Sequence, residues 1–223
     1  MRILGLRIKV VYVDFWHTYP AAHKAIYPDA VIQYDFFPVM QNIHRHLYKA
    51  LTAYRKALKG AITEQDQDKV RKAAHTKLWQ NRYIVFTNEE NLSTEQRQTL
   101  DELLAEHADT IVEQIVVFRD HLRAMFNESA SFATAIEHLA TLILDGWADV
   151  GSAFRKVMGF LQEHFDNICT YLRIPTVQRN SLSECTLRSL RRLEHVRQGF
   201  KTHQGRVNHL KLLQWRTYIR STD

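Results

Sequence analysis

Apolar residues recur at spacings of three and four along most of the chain between Val39 and Tyr171. One stripe is Ile43, Leu47, Leu51, Tyr54 and Leu58; a second is Leu100, Leu104, Ala108, Ile111, Ile115, Phe118, Leu122 and Met125. Phe132, Ile136, Leu139 and Ile143 make a third, and Phe154, Val157, Leu161, Phe165 and Ile168 a fourth. That period places each set on one face of an α-helix, so the stripes predict amphipathic helices packed into a shared core. Seven Gly and four Pro in 223 residues fit long helices with short connections better than a sandwich of turns. In "NLSTEQ", Ser93 stands three residues before Gln96, the spacing of a capping box, which predicts a helix start there. The helical stretch that follows is expected to break near His107. Residues 64–79 are polar, and "LWQNRYIVF" at 78–86 turns apolar again.

Ahead of the helices lie two segments of a different period. "IKVVYVD" at 8–14 and "AVIQYD" at 30–35 are short, rich in β-branched residues, and both end in an aspartate. They read as strands, and "FWHTYPAAHKAIYPD" between them reads as a turn and a short helix, which makes a βαβ fragment. Two strands alone do not make a stable sheet. They must lean on the helices or belong to a larger sheet, and an uncovered edge would be an aggregation hazard.

Charge is distributed unevenly. The net charge is +6, yet residues 173–220 hold eleven Lys/Arg against two Glu, whereas residues 1–172 hold nineteen against twenty-one Asp/Glu. A basic block on a nearly neutral body suits a polyanion partner, although a solvated helix face has the same composition. Cys169 and Cys185 are the only cysteines, so neither a disulfide framework nor zinc spacing is present, and a reducing cytoplasm is the expected compartment. The pairs His44/His46 and His17/His23 diverge on a helix and make no zinc site. "MRILGLRIKVVYV" is broken by Arg7 and Lys9 and lacks a cleavage site, so it reads as a strand rather than a leader. No run of 18 apolar residues predicts a membrane span.

P-loop, G-x-G-x-x-G, G-x-S-x-G and H-E-x-x-H motifs are all absent. What remains is a set of marked carboxylates: Asp14 and Asp35 at strand ends, and Glu184 at an expected helix start among Arg179, Arg188, Arg191, Arg192 and Arg197. Metal-assisted phosphodiester chemistry uses such a set, because hard divalent ions take carboxylate oxygen and stabilise attacking and leaving oxygens. Each residue also has a plainer reading. Asp14 and Asp35 can end a strand or cap the next helix, and Ser181 with Glu184 has the S-x-x-E spacing of a capping box.

The order of these segments resembles the ISL3-type insertion-sequence transposases. The resemblance lies in "VVYVDFWHTYPAAHKAIYPDAVIQYDFFPVMQNIHRHLYKALTAYRKAL", in "LWQNRYIVFTNEENLSTEQRQTLDELL", and in "IPTVQRNSLSECTLRSLRRLEHVRQGFKTHQGRVNHLKLLQ". It implies the C-terminal part of an RNase H-like DDE transposase core, mainly α, with a large helical insertion and a short two-strand N-terminal remnant. Residues 1–38 would carry the strands, 39–171 the insertion, and 172–223 the basic helical segment with the family's glutamate. By the same resemblance Asp14 and Glu184 are the catalytic pair that would hold Mg²⁺ or Mn²⁺, and Asp35 is a supporting acid. Arg188, Arg191, Arg192, Arg197, Lys201 and Arg206 would hold DNA.

This chain departs from the family pattern at Pro38, where His is usual, and at Cys185, Thr186 and Leu187. The family's first catalytic aspartate lies on an earlier strand. The implied protein is therefore a transposase portion with one carboxylate of three missing and little strand transfer on its own. The expected partners are DNA and another copy of itself or a full-length transposase, with no membrane. A non-catalytic DNA-binding or oligomerising remnant is the alternative, and a plain helical interaction protein the third reading.

Overall fold

The computed structural model describes residues 8–14, 18–60, 68–179, 204–205 and 207–208. The chain divides into two compact units, Met1–Asn180 and Ser181–Asp223. Within the second, Gln204, Gly205, Val207 and Asn208 are helical, and Gln204 Nε2 donates to Asn208 Oδ1 at 2.9 Å.

The first unit opens with strand β1 (Val10–Val13), helix α1 (Thr18–Ile26) and strand β2 (Val31–Tyr34). The strands pair in parallel, Val10 opposite Val31 through Val13 opposite Tyr34. Parallel pairing needs a crossover, and α1 supplies it. This is the βαβ fragment that the two β-branched runs predict.

Helix α2 (Phe36–Gly60) follows β2 at once and buries Val39, Ile43, Leu47 and Leu51 at helical spacing. Helix α3 (Asp68–Gln80) leads to 3₁₀ turns at Ile84–Phe86 and Glu89–Asn91. Helix α4 (Thr94–Glu106) begins at the expected capping box: Gln96 N–H donates to Ser93 Oγ at 3.2 Å, and Ser93 N–H to Gln96 Oε1 at 2.9 Å.

The break near His107 is real and has a local cause. Asp109 adopts a left-handed conformation (φ 57°), and its N–H donates to Glu113 Oε2 at 2.7 Å. Thr110 Oγ1 then caps α5 (Ile111–Arg123) by accepting from Val112 N–H. A π-helical turn (Ala124–Glu128) precedes α6 (Phe132–Leu144), α7 (Trp147–Val150), α8 (Ser152–Ile168) and α9 (Thr170–Arg173).

Helix α2 packs on α5 and α8, and the centre of the core is aromatic. The Phe118 ring meets Phe154 edge-on at 5.2 Å between centroids and lies 5.0 Å from Trp147, a geometry that adds to the burial of each ring. Strand residues Val13, Ile32 and Tyr34 belong to the same core as these helices, so the strands do lean on them.

Three positions expected in the core are not there. Ile136 and Ile143 are 46% and 45% exposed, because α6 packs through Ala135, Leu139 and Leu142 instead. The seated face is turned by one residue, toward a small alanine that permits closer approach. Ala108 is exposed because α4 has already ended, and Leu103 takes the buried place. The expectations for Ser181, Glu184, Arg188, Arg191, Arg192, Arg197, Lys201 and Arg206 lie outside the described residues.

Candidate active site

Parallel pairing decides where the two strand-end aspartates go. Val13 lies opposite Tyr34, and Asp14 and Asp35 are the next residues on each strand. Asp35 N–H donates to the Val13 carbonyl at 3.0 Å, so the pairing reaches this point. Neighbouring strands run about 4.8 Å apart. Two carboxylates twenty-one residues apart in sequence are thus brought to the same carboxyl end of the strand pair, the end where open α/β sheets place their ligands.

Their local roles differ. Asp14 is exposed, one position beyond buried Val13. Asp35 caps α2: its Oδ1 accepts from Phe37 N–H at 3.2 Å, and its carbonyl accepts from Val39 N–H. The helix-cap reading of Asp35 is therefore correct as far as it goes. It leaves the carboxylate at the strand end with one oxygen accepting a helix N–H, which also suits the positive end of the helix dipole.

Three contacts fix the strands beneath this end. Gln33, fully buried, donates through Nε2 to the Ile168 carbonyl at 2.8 Å and to the Tyr34 carbonyl at 2.7 Å; its Oε1 accepts from Tyr171 N–H at 2.9 Å. Thr170 Oγ1 shares its one hydrogen between the Ile32 carbonyl at 2.9 Å and the Asp166 carbonyl at 2.8 Å. The Tyr12 hydroxyl accepts from Gln178 N–H at 2.8 Å. The chain from α8 to Arg179 is so returned to the strands that carry Asp14 and Asp35. Glu184 comes five residues after Arg179 in sequence.

Arg179 itself sits beside the first turn of α2, the helix that Asp35 caps. Its guanidinium lies 4.0 Å from the centre of the Phe36 ring and donates to Asn127 Oδ1 at 2.6 Å and to the Phe126 carbonyl at 3.3 Å. Phe36, Arg179, Arg119, Phe86, Asn88 and His44 help line a cavity of about 360 Å³ next to the first turns of α2. Arg119 is held in its wall by the carbonyls of Val85 and Thr87. Burial lowers the pKa of His44, which favours the neutral ring.

Neither Cys169 nor Tyr171 is an activated nucleophile here. Burial pushes the Cys169 thiol and the Tyr171 hydroxyl each up to about 12, so both stay protonated near neutral pH. Asp14 and Asp35 are hard oxygen donors of the kind that Mg²⁺ or Mn²⁺ takes. Among the described residues no group of three or more His, Cys, Asp and Glu could hold a metal, so these two fit as part of a ligand set rather than a whole one.

A family model for transposases, of the DDE type and the ISL3 group, matches residues 5–205. The chain belongs to that transposase family. Comparison with curated proteins and with solved structures finds no match. Among the described residues the matched stretch contains strands β1 and β2 and helices α1 to α9, and in sequence it takes in all three marked carboxylates. DDE transposases generally work with a divalent metal. Among the described residues no helix is long and apolar enough to cross a membrane.

Gln33, Thr170 and Arg119 had no part in the site read from sequence, where Arg179 stood only among the cations around Glu184. Gln33 left a signal, a single amide inside the otherwise apolar "AVIQY". Arg119 left a fainter one, a cation directly after core residue Phe118.

Proposed function

We propose that this chain contributes to DNA transposition by metal-dependent phosphoryl transfer, with Asp14 and Glu184 as metal-binding carboxylates and Asp35 as a supporting acid. One observation carries the reading: the parallel register brings Asp14 and Asp35 together at the carboxyl end of the strands, in a chain of the DDE transposase family. Mg²⁺ or Mn²⁺ bound there would supply charge for the attacking and leaving oxygens of a DNA phosphodiester.

The protein's own part is placement. Asp35 starts α2 at the strand end that also carries Asp14, while Gln33 and Thr170 fix the strand from which Asp35 projects. Arg188, Arg191, Arg192, Arg197, Lys201 and Arg206 would bind the DNA backbone without reading bases. In this reading residues 1–38 belong to an RNase H-like core, 39–171 form its helical insertion, and 172–223 return the catalytic glutamate.

Plasmid DNA in Mg²⁺ or Mn²⁺ provides the test, with the wild-type chain beside Asp14→Asn and Glu184→Gln. Metal-dependent nicks or joints that disappear in both variants support the assignment. Products undiminished in both variants refute it. Salt-sensitive DNA binding with no product in any metal favours the non-catalytic alternative, which the two-carboxylate set among the described residues also fits.

A further inference from the structure

The near-neutral balance of residues 1–172 conceals a strong segregation of charge by helix. Helix α2 carries Arg45, Lys49, Arg55, Lys56 and Lys59 and no Asp or Glu in 25 residues. Helix α4, half that length, carries Glu95, Asp101, Glu102 and Glu106 against Arg97. Four of the α2 cations, Arg45, Lys49, Lys56 and Lys59, fall at i, i+4, i+11 and i+14. At 100° per residue that is one stripe on one face, running about 21 Å along the axis. All four are exposed, on the side opposite buried Ile43, Leu47 and Leu51.

Ordinary surface lysines of a helix are interleaved with carboxylates that neutralise them. Those of α2 are not: among the described residues none of the four takes part in an ion pair, whereas Lys77, Arg97, Arg119, Arg123 and Arg173 all do. A further cation joins from a neighbouring helix, since Lys156 of α8 is exposed and acts on the same flank. His46 reports the combined field. Its pKa is lowered by burial and then by Arg45, Lys156 and Lys49, with no carboxylate offsetting them. On the other flank His75 is lowered by burial and then by Arg55 and Lys59.

From this stripe we infer that α2, with Lys156 of α8, is a second DNA-binding surface of this transposase, one that grips the phosphate backbone of a duplex. The inference rests on the transposition reading and adds a contact surface outside the 173–220 basic block. Helix α2 begins at Asp35, so the stripe runs away from the acidic strand end along the helix that Asp35 caps. A length of about 21 Å covers roughly six base pairs at 3.4 Å of rise each. Lysines on an exposed face offer point charges without the fixed geometry needed to read bases, so the contact is independent of sequence.

The experiment is a salt titration of binding between the full chain and a labelled duplex of arbitrary sequence. Wild type is compared with Lys49→Gln/Lys56→Gln/Lys156→Gln and with the equally discharged control Lys24→Gln/Lys77→Gln/Arg97→Gln. Each lost phosphate contact lowers the slope of log K against log salt by about 0.9, so the α2/α8 triple should lose about 2.7 from the slope. The control should lose less than about one contact's worth. An α2/α8 triple with the wild-type slope, or a control that loses as much, overturns the surface and leaves the transposition reading standing. A wild-type chain with no DNA binding at low salt overturns both. Unchanged circular dichroism of the triple shows that charge, not folding, is what was lost.

Discussion

Replacing Gln33 by Leu should loosen the acidic strand end from beneath without touching either aspartate. Gln33 is fully buried and makes two long-range contacts to the α8–α9 junction: Nε2 to the Ile168 carbonyl and Oε1 from Tyr171 N–H. Leucine matches its size but leaves three backbone groups unpaired, the Ile168 and Tyr34 carbonyls and the Tyr171 N–H. A buried orphan costs about 1–3 kcal/mol, and the half-buried Tyr171 N–H falls at the low end of that range. Apolar burial of the new side chain returns about 1 kcal/mol. With the two carbonyls at about 1–3 kcal/mol each and the N–H at about 1, the net loss is about 2–6 kcal/mol, at least about 4 °C in Tm for a chain of this size. Thermal and urea unfolding followed by circular dichroism measure it. Thr170→Val removes the neighbouring bond to the Ile32 carbonyl and should cost about 1 kcal/mol. The two act on one strand, so the double variant should lose less than the sum by about 0.5–1 kcal/mol. A Gln33→Leu chain within about 1 kcal/mol of wild type would refute the reasoning, since the clamp would then be replaceable by packing alone.

Arg119→Met should be among the costliest single changes, at about 2–4 kcal/mol, because it strips a buried cation from the carbonyls of Val85 and Thr87; urea unfolding reads it, and a loss below about 1 kcal/mol would contradict the contact. Stability should fall as pH rises from 9.0 toward 12, because burial holds the Cys169 thiol protonated in the fold up to about 12 while the unfolded chain releases that proton near 9.0. Cys169→Ala should remove the fall between pH 9.0 and 10.0 and leave a shallower one above it, where Tyr171 still titrates, and an unaltered profile would show that the thiol is not responsible. Asp35→Asn keeps the oxygen that caps α2 and should change Tm little, whereas Asp35→Ala loses the cap and about 1 kcal/mol. If Asp35 supports catalysis by its charge, both variants should lose metal-dependent DNA processing equally, whatever their stability.

Much of this architecture was legible because period alone carries it. The stripes through Ile43, Ile115 and Leu161 are bulky residues at regular spacing, and they lie in the core as expected. The Ser93–Gln96 cap and the break after His107 were readable because their causes are local. Helix α6 was misread where bulk was followed instead of fit: Ala135 is in the core, and Ile136 beside it is exposed. Arg119 and Gln33 were missed for a different reason. Their partners lie 32–34 and 135–138 residues away, and a single sequence does not show which distant carbonyls need a donor. The acidic end was legible as two separate strand-end aspartates, but their meeting depended on parallel register. The basic face of α2 was hidden by averaging, since the acidic α4 cancels it in any count over the whole segment.

The strand pair raises a last point of synthesis, because four-residue strands should not persist alone. Val31 N–H and Asp35 N–H donate to Lys9 and Val13, so the odd-numbered residues of β2 face β1. The carbonyls of Ile32 and Tyr34 must then face the opposite edge, where a further strand would ordinarily bind. Both are occupied by side chains: Thr170 Oγ1 donates to Ile32, and the Gln33 amide donates to Tyr34. Side-chain donors thus satisfy the carbonyls of this edge, as a neighbouring strand would, and lower the aggregation risk that a bare edge carries. The same two residues join the strand to the end of α8. One small clamp therefore keeps a minimal sheet paired, covers its edge, and holds Asp35 level with Asp14, which is why the chemistry proposed at this end depends on residues that never touch it.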